Sequence, residues 1–157
     1  MNLKELAEFI VEAKKSAYAG DGNEVPPQRP GFKELEHSKG DYVYRDSYKG
    51  FFQAPGQEVV WYKGEPVWIM SYNGGMLEEY QKNVGFALKT FSFLKKALSE
   101  VNAEKPYRGP ELLEENEWKY INNIKGSLTN FRGKEKIYFN KKLVFEQDYF
   151  GGLVINK

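Results

Sequence analysis

Three acidic side chains carry most of the chemistry that this sequence offers. Glu58 and Glu135 occupy the same place in two similar strings, GQEVVWYKGEPVW and GKEKIYFNKKLVF, and Asp46 lies in the tyrosine-rich string YVYRDSY. Carboxylates among aromatic side chains can accept a basic or hydroxyl-rich ligand. Two carboxyls at a suitable separation can instead act as a general acid and a general base, as in glycosidases.

The two strings belong to a longer internal match. Residues 56–76 align without a gap with residues 133–153, at an offset of 77 residues, and six positions are identical. Average composition gives about one identity in such a window. A second pair of strings, YVYRDSYKGFF and WKYINNIKGSL, matches in the same order. The chain is therefore predicted to be a tandem duplication.

Each copy is predicted to contain one helix followed by antiparallel strands. Helix one is expected over about Leu3–Tyr18, with Asn2 as its cap, and helix two within Leu77–Val101, with Leu88, Phe91, Leu94 and Leu98 on one face. The stretch Gly20–Gly40, rich in Pro and Gly, is expected to be a long connection or a binding loop. In copy one the predicted strands are Tyr42–Tyr48, a short strand near Phe51, and a hairpin of Gln57–Tyr62 with Pro66–Tyr72 that turns at Lys63-Gly64. In copy two they are Trp118–Ile124, a short strand near Leu128, and a hairpin of Lys134–Phe139 with Leu143–Tyr149 that turns at Asn140-Lys141.

The resulting fold class is α+β. We expect a single domain over residues 1–157, with repeat one at about 1–77 and repeat two at about 78–157, related by a pseudo-twofold axis. The strands would form a strongly twisted antiparallel sheet or a partial barrel, packed by the two main helices.

Strand alternation indicates which side chains face inward. An odd-length hairpin loop groups Val60, Pro66, Trp68, Met70 and Tyr72 in copy one, and its apolar character recurs in copy two. Glu58, Glu135 and Asp46 share this inward parity, so each needs a partner or a cavity. The glutamates could pair with Arg29 and Arg108 as a structural clamp. Alternatively they could belong to a ligand site, whose candidate residues are Glu58, Glu135, Asp46, Arg45, Tyr44, Tyr48, Trp68, Tyr72, Gln147 and Tyr149.

Composition excludes several classes of site. There is no cysteine and one histidine, His37, so a thiolate site or a His-rich metal site cannot form. The net charge of +1 gives no field for nucleic acid, and no apolar stretch is long enough to span a membrane. We therefore expect a cytoplasmic protein that binds neither nucleic acid by itself nor membrane, with no metal and no cofactor.

Several strings carry a resemblance to a known family. VEAKKSAYAG, RPG, GDYVYRDSY, GQEVVWYKGEPVW, NFRGKEKIYFN and YFGGLV together resemble a bacterial and archaeal family of domains of unknown function. Its members are found alone or C-terminal to helix-turn-helix regulators. The resemblance implies a ligand-sensing or accessory role, and it carries over no catalytic residues.

These observations lead to one functional expectation and two alternatives. The chain is expected to bind or sense a small molecule in an aromatic cavity that contains carboxylates, as a monomer or homodimer. The first alternative is a module that binds a protein or peptide by a sheet edge or aromatic patch. The second alternative is a carboxylate-dependent, hydrolase-like enzyme, and the balance leans away from an enzyme.

Overall fold

A computed structural model provides the structure of the protein and describes residues 2–19 and 24–156. It is a mixed α+β fold with two helices, α1 (Leu3–Ala19) and α2 (Val84–Ser99). Within the described ranges, nine strands form one antiparallel sheet. They are, in chain order, β1 (Glu24–Val25), β2 (Lys33–Lys39), β3 (Tyr42–Tyr48), β4 (Gly56–Tyr62), β5 (Glu65–Met76), β6 (Leu112–Glu115), β7 (Trp118–Ser127), β8 (Asn130–Phe139) and β9 (Lys142–Leu153).

The sheet is centred on the two longest strands. Its order is β1-β2-β3-β4-β5-β9-β8-β7-β6, so it does not close into a barrel. β5 and β9 pair antiparallel over nine positions, with Tyr72 opposite Tyr149. The outermost strands are short, with two residues in β1 and four in β6. Side chains from both flanks of the sheet therefore approach one another along the central β5–β9 pair.

The two long hairpins turn where the sequence predicts. In β4–β5 the loop is Lys63-Gly64, with φ angles of 54° and 85°. In β8–β9 it is Asn140-Lys141, with φ angles of 48° and 65°. Positive φ at both central residues is the geometry of a type I′ turn, whose twist matches that of the flanking strands.

A β-bulge in each hairpin decides which face points inward. Trp61 pairs with Pro66 next to the turn, but Val60 pairs with Trp68, so one residue of β5 is extra. The second hairpin has the same shift between Ile137 and Tyr138. A two-residue loop with one bulged residue has the parity of an odd loop. The predicted inward face is therefore confirmed for Val60, Trp68, Met70 and Tyr72, which are buried. It is wrong for Pro66, which pairs with Trp61 between the turn and the bulge and does not belong to the core.

Each helix packs an apolar face against this side of the sheet. Side chains of α1, among them Leu6 and Ile10, join a core with Trp68 and Tyr44. Side chains of α2, among them Phe93 and Ala97, join a second core with Phe145. Both helices begin at an asparagine: Asn2 Oδ1 accepts from Lys4 N at 2.9 Å, and Asn83 Oδ1 accepts from Phe86 N at 2.9 Å.

Three other local predictions are wrong. Much of the expected connection is strand β2, which pairs with β3 along its whole length, while residues 20–23 lie outside the described residues. β2 reads KELEHSK, and such a polar strand escapes a search for apolar alternation. Phe51 and Leu128 lie in turns or bends rather than in short strands. Leu88 is 55 % exposed, because Ala87, Thr90, Phe93, Ala97 and Leu98 form the buried face of α2.

Neither described helix is long and apolar enough to cross a membrane.

Candidate functional site

A cluster of polar side chains is buried on the inward face of the sheet. Asp46, Glu58, Asn122 and Glu135 are each at most 6 % exposed. Cα pairing places Asp46 opposite Glu58 on β3 and β4, and Asn122 opposite Glu135 on β7 and β8. The alternation of each strand therefore directs four polar side chains into the core, where each needs a hydrogen-bonding partner.

Glu135 is satisfied by four donors. Its Oε1 accepts from Arg108 Nη2 at 2.7 Å, from Arg108 Nε at 3.0 Å and from Gln147 Nε2 at 2.9 Å. Its Oε2 accepts from the Tyr120 hydroxyl at 2.7 Å. Burial, reinforced by the negative charge of Glu135, raises the pKa of Tyr120 well above its ordinary value, so this phenol remains a donor. These charge-assisted hydrogen bonds form a clamp that holds Arg108 against Glu135 on the β7–β8 half of the sheet.

Glu58 takes its main cation from helix α1. Lys14 Nζ lies 2.5 Å from Glu58 Oε2 and donates to the carbonyl oxygen of Tyr107 at 2.6 Å. Arg108 Nη1 also approaches Glu58, at 3.8 Å from Oε1. The two glutamates therefore meet at a shared arginine. Lys14 and Glu58 are fully buried, and burial lowers the pKa of Lys14 despite the opposing effect of Glu58.

Two tyrosines repeat one hydrogen bond on the two sides of the β5–β9 pair. The Tyr149 hydroxyl donates to Asn122 Oδ1 at 2.7 Å, and the Tyr72 hydroxyl donates to Asp46 Oδ1 at 2.7 Å. Each ring crosses over a glycine on the neighbouring strand. A Cβ atom at Gly56 would lie 2.3 Å from the Tyr72 hydroxyl oxygen, and one at Gly133 would lie 2.2 Å from the Tyr149 ring. Both positions must therefore be glycine for the tyrosines to reach across.

The two sites differ in the residue that accepts this bond. Asn122 also donates, through Nδ2, to the carbonyl oxygen of Gly109 at 2.9 Å. Asp46 has no such donor, and its Oδ2 has no hydrogen-bond partner among the described residues. Burial, together with the negative charge of Glu58 directly opposite, raises the pKa of Asp46 to about 7. Asp46 is thus a buried carboxyl that changes charge near neutral pH.

This pKa leads to a prediction for stability. We expect the contribution of Asp46 to the free energy of unfolding to fall as pH rises from about 4 to about 7, because Asp46 binds its proton more tightly in the folded than in the unfolded chain. Urea denaturation of wild type and Asp46→Asn from pH 4 to pH 8 measures this. The stability of Asp46→Asn relative to wild type should increase across the window. The exposed Asp148→Asn is the matched control, and a constant difference for Asp46→Asn would contradict the prediction.

Asp46 lines an open cleft of about 450 Å³ that reaches from strand β3 to helix α2. The buried polar residues around Asp46 in this cleft are Tyr72, Arg108 and Gln147. The aromatic residues that line it are Tyr48, Phe51, Phe91 and Phe145, and the exposed lysines are Lys33 and Lys95. Among the described residues of the lining, Asp46 is the one carboxylate. The cleft therefore combines a hydrophobic wall with one ionisable acceptor.

Aromatic contacts connect the parts of the chain that form this wall. The Phe51 and Phe91 rings lie 5.4 Å apart edge to face, which connects the segment after β3 to helix α2. Phe91 and Phe145 lie 6.5 Å apart in the same manner, which connects α2 to β9. Such contacts hold the wall in one arrangement.

A larger groove of about 1280 Å³ lies along the β6–β9 half of the sheet. Its charged residues include Lys134, which pairs with Asp148 at 3.2 Å, and Lys119, which pairs with Glu114 at 2.9 Å. These pairs are solvent-exposed, and pairs of this kind contribute little to binding or stability. The smaller cleft is the stronger candidate because it alone of the two is lined by a buried carboxyl among the described residues, Asp46, whose pKa lies near neutral pH.

Most of the predicted site residues come together. Glu58, Glu135, Asp46, Tyr72, Gln147 and Tyr149 belong to the buried polar cluster or bond to it, Tyr48 lines the cleft, and Tyr44 and Trp68 lie in the adjoining core. Arg45 is not part of this group. It faces the other side of β3 and pairs with Glu34, at 3.0 Å, and with Glu36. The proposed clamp of Glu135 by Arg108 is present, whereas Arg29 bonds to Gln57 rather than to Glu58.

Sequence reasoning missed two members of the cluster. Lys14 is not among the predicted site residues, yet it follows Leu6 and Ile10 at four-residue spacing, which places it on the buried stripe of α1. Asn122 is not among the predicted site residues either, although it aligns with Asp46 in the second pair of matching strings. Its bond to Gly109 comes from a segment distant in sequence, and no local pattern predicts that contact.

Among the described residues, no group of three or more His, Cys, Asp or Glu side chains is placed to hold a metal ion. The two buried glutamates of the cluster are instead paired with Lys14 and Arg108.

Comparison with known proteins places the chain in a family. Neither the comparison with curated proteins nor that with solved structures gives a match. A family model described as "Domain of unknown function (DUF5680)" matches residues 46–154. The matched region begins at Asp46 and contains Glu58, Arg108, Asn122 and Glu135, while Lys14 lies outside it. The chain therefore belongs to this family of domains of unknown function.

Proposed function

We propose that the protein is a small-molecule-binding domain whose ligand occupies the cleft above Asp46. One observation carries the proposal. Asp46 is a buried carboxyl that lines an open cleft, and one of its oxygens has no partner among the described residues. Burial of a carboxyl without a full set of partners is costly, and a ligand that contacts it would recover that cost.

The lining supports the same conclusion. Small-molecule sites are concave and mostly apolar, with a few polar groups that orient the ligand. Here Tyr48, Phe51, Phe91 and Phe145 supply apolar surface, and Asp46 supplies the orienting group. A volume of about 450 Å³ suits a small organic molecule.

We also propose that the site arose within a tandem duplication with a pseudo-twofold axis, with repeats at about 1–77 and 78–157. The support is the register of the sheet: Tyr72 and Tyr149, equivalent in the sequence match, are direct partners across β5 and β9. The bulged hairpins and the two tyrosine hydrogen bonds also recur. The two halves would then share one frame, with the cleft in the half that carries Asp46.

An acid–base enzyme is the second candidate, and the pKa of Asp46 favours it. A general acid or base works best when its pKa lies near the operating pH, and that of Asp46 is about 7. A glycosidase-type pair has less support, because Glu58 is fully buried against Lys14 and does not line the cleft. The two candidates differ in what happens to a compound that binds in the cleft during incubation with the protein. If the compound is recovered unchanged, the result supports binding alone. If wild type consumes the compound and Asp46→Asn does not, the result supports an enzyme.

The binding proposal predicts that filling the cleft removes binding. Ala54 lines the cleft, so Ala54→Trp should occupy the space with an indole ring. We expect small-fragment hits found by NMR with ¹⁵N-labelled wild type to weaken at least tenfold in this variant. Ala103→Trp is the matched control, because Ala103 is exposed and lies outside the cleft.

Two results would contradict the proposal. One is a fragment set whose hits never shift the amide signals of cleft residues such as Gly50, Gly74 and Gly75. The other is equal affinity of the hits for Ala54→Trp and for wild type, with both variants shown to be folded by circular dichroism.

A further inference from the structure

We infer that the ligand presents an N–H donor to Asp46 and belongs to the class of organic amines or amidines with a flat apolar body. This inference rests on the proposed binding function, and it names the chemistry of the ligand. It comes from a comparison of the two tyrosine-bonded sites on either side of the β5–β9 pair.

In the β7–β8 site the protein supplies its own partner. Asn122 accepts from Tyr149 through Oδ1 and donates through Nδ2 to the carbonyl oxygen of Gly109. The N–H group of Gly109 donates to the Tyr120 hydroxyl at 3.1 Å. Both backbone polar groups of Gly109 are therefore hydrogen-bonded to side chains of β7. The neighbouring Arg108 enters the clamp on Glu135. The second polar atom of Asn122, Nδ2, is therefore satisfied by a hydrogen-bond acceptor that belongs to the chain.

In the β3–β4 site the corresponding place is the cleft. Asp46 Oδ1 accepts from the Tyr72 hydroxyl at 2.7 Å, the same distance as between the Tyr149 hydroxyl and Asn122. No described residue, however, forms a hydrogen bond with Asp46 Oδ2. The side chains of Asn and Asp have the same shape. At this second position, however, Asn offers two N–H donors, whereas an ionised Asp offers only an acceptor. The group that completes the site must then be a donor instead of a carbonyl.

The surrounding charges favour a donor that is also a cation. Lys14 and Arg108 balance Glu58 and Glu135, so ionised Asp46 leaves one negative charge in excess in a buried site. An anionic ligand would be repelled by ionised Asp46, and Arg108 is already paired with both glutamates. An ammonium or amidinium group at Asp46 would instead cancel the excess charge.

The groups that face Asp46 come from every element around it. They are Glu58 on β4, Tyr72 on β5, Lys14 on α1, Arg108 before β6, Tyr48 on β3, and the lysines at the mouth of the cleft, Lys33 on β2 and Lys95 on α2. The lysines are exposed to solvent, which screens their repulsion of an approaching cation. The aromatic wall favours a flat body and can stabilise the cation through its ring faces.

The test is a series of three compounds that share one body and differ in one end group: 2-phenylethylamine, 2-phenylethanol and phenylacetate. Dissociation constants are measured at pH 8 by NMR titration of cleft amide signals in the full chain. We expect the amine to bind at least tenfold more tightly than the alcohol, and phenylacetate to bind more weakly than either. In Asp46→Asn, the amine and the alcohol should bind with affinities within about twofold of each other. Asp148→Asn, at an exposed aspartate outside the cleft, should keep the wild-type preference.

A second measurement uses the wild-type chain alone. Below the pKa of Asp46, about 7, a proton competes with the ammonium group, so amine affinity should fall about tenfold for each pH unit while alcohol affinity stays constant. Alcohol or phenylacetate binding in the cleft as tightly as the amine, or an amine affinity independent of pH from 5 to 7, would overturn the inference and leave the binding proposal standing. Absence of cleft binding by these compounds and by the wider fragment set would overturn both.

Discussion

Replacement of Arg108 by methionine is expected to lower the free energy of unfolding by about 3–5 kcal/mol. Arg108 is 5 % exposed and contacts both buried glutamates, with Nη2 at 2.7 Å from Glu135 and Nη1 at 3.8 Å from Glu58. Methionine fills similar space but leaves Glu135 with the neutral donors Tyr120 and Gln147. An ionised carboxylate buried with neutral donors alone retains most of its desolvation penalty. Urea denaturation at pH 8 measures the loss.

Two variants make this result specific. Arg108→Lys should recover only part of the stability, because one ammonium group cannot reproduce the paired Nε and Nη2 bonds and also reach Glu58. Arg132→Met, at an exposed arginine on the same sheet, should change stability by less than about 0.5 kcal/mol. Equal effects at Arg108 and Arg132 would show that the clamp on Glu135 contributes nothing to folding.

Replacement of Lys14 by methionine is expected to destabilise the fold by a similar amount, about 3–5 kcal/mol. Lys14 is fully buried, and its Nζ is bonded to Glu58 and to the carbonyl oxygen of Tyr107. The variant leaves Glu58 with Arg108 as its remaining cation, at 3.8 Å. The adjacent Lys15→Met is the matched control, because Lys15 is exposed on the same helix. Its effect should stay within about 0.5 kcal/mol.

A double variant separates the charge from the packing. If the loss in Lys14→Met comes from an uncompensated Glu58, then adding Glu58→Gln should restore part of the stability, since it removes the buried charge. A double variant less stable than Lys14→Met would mean that Glu58 still stabilises the fold through Arg108. That outcome would assign the loss to the packing of the Lys14 side chain and to its bond with Tyr107.

The sequence allows a prediction of which face of the sheet points into the core, and that prediction places most of the buried cluster. Alternation in two similar hairpins allows one consistent inward face, which places Glu58, Glu135 and Asp46 in the core. The loops have two residues, and the bulges next to Val60 and Ile137 restore the odd parity beyond the turn. The prediction therefore fails only next to the turn, at Pro66, which lies before the bulge. Two matching strings remove an ambiguity that one hairpin leaves open.

The cations could not be predicted with the same certainty. Lysine is rarely fully buried, so the charge of Lys14 indicates a surface position even though its spacing from Leu6 and Ile10 indicates the core. Strand β2 has no apolar alternation, because Glu34 and Glu36 pair with Arg45 on the face opposite the cluster. The cleft itself depends on where Phe51, Phe91 and Phe145 meet, and these residues are far apart in sequence. Contacts of that kind follow from packing, which a single sequence does not encode locally.

The short outermost strands have a consequence for assembly with other chains. A peptide that binds by strand addition needs a long row of free backbone donors and acceptors at a sheet edge. Here the outermost strands have two and four residues in the part of the chain that the structure describes, and β6 ends in Glu114 and Glu115. Short, charged edges are a way in which proteins resist pairing with strands from other molecules and the aggregation that follows. The long strands β5 and β9 would offer the most backbone hydrogen-bonding groups if they lay at an edge. They lie instead at the centre of the sheet and pair with each other.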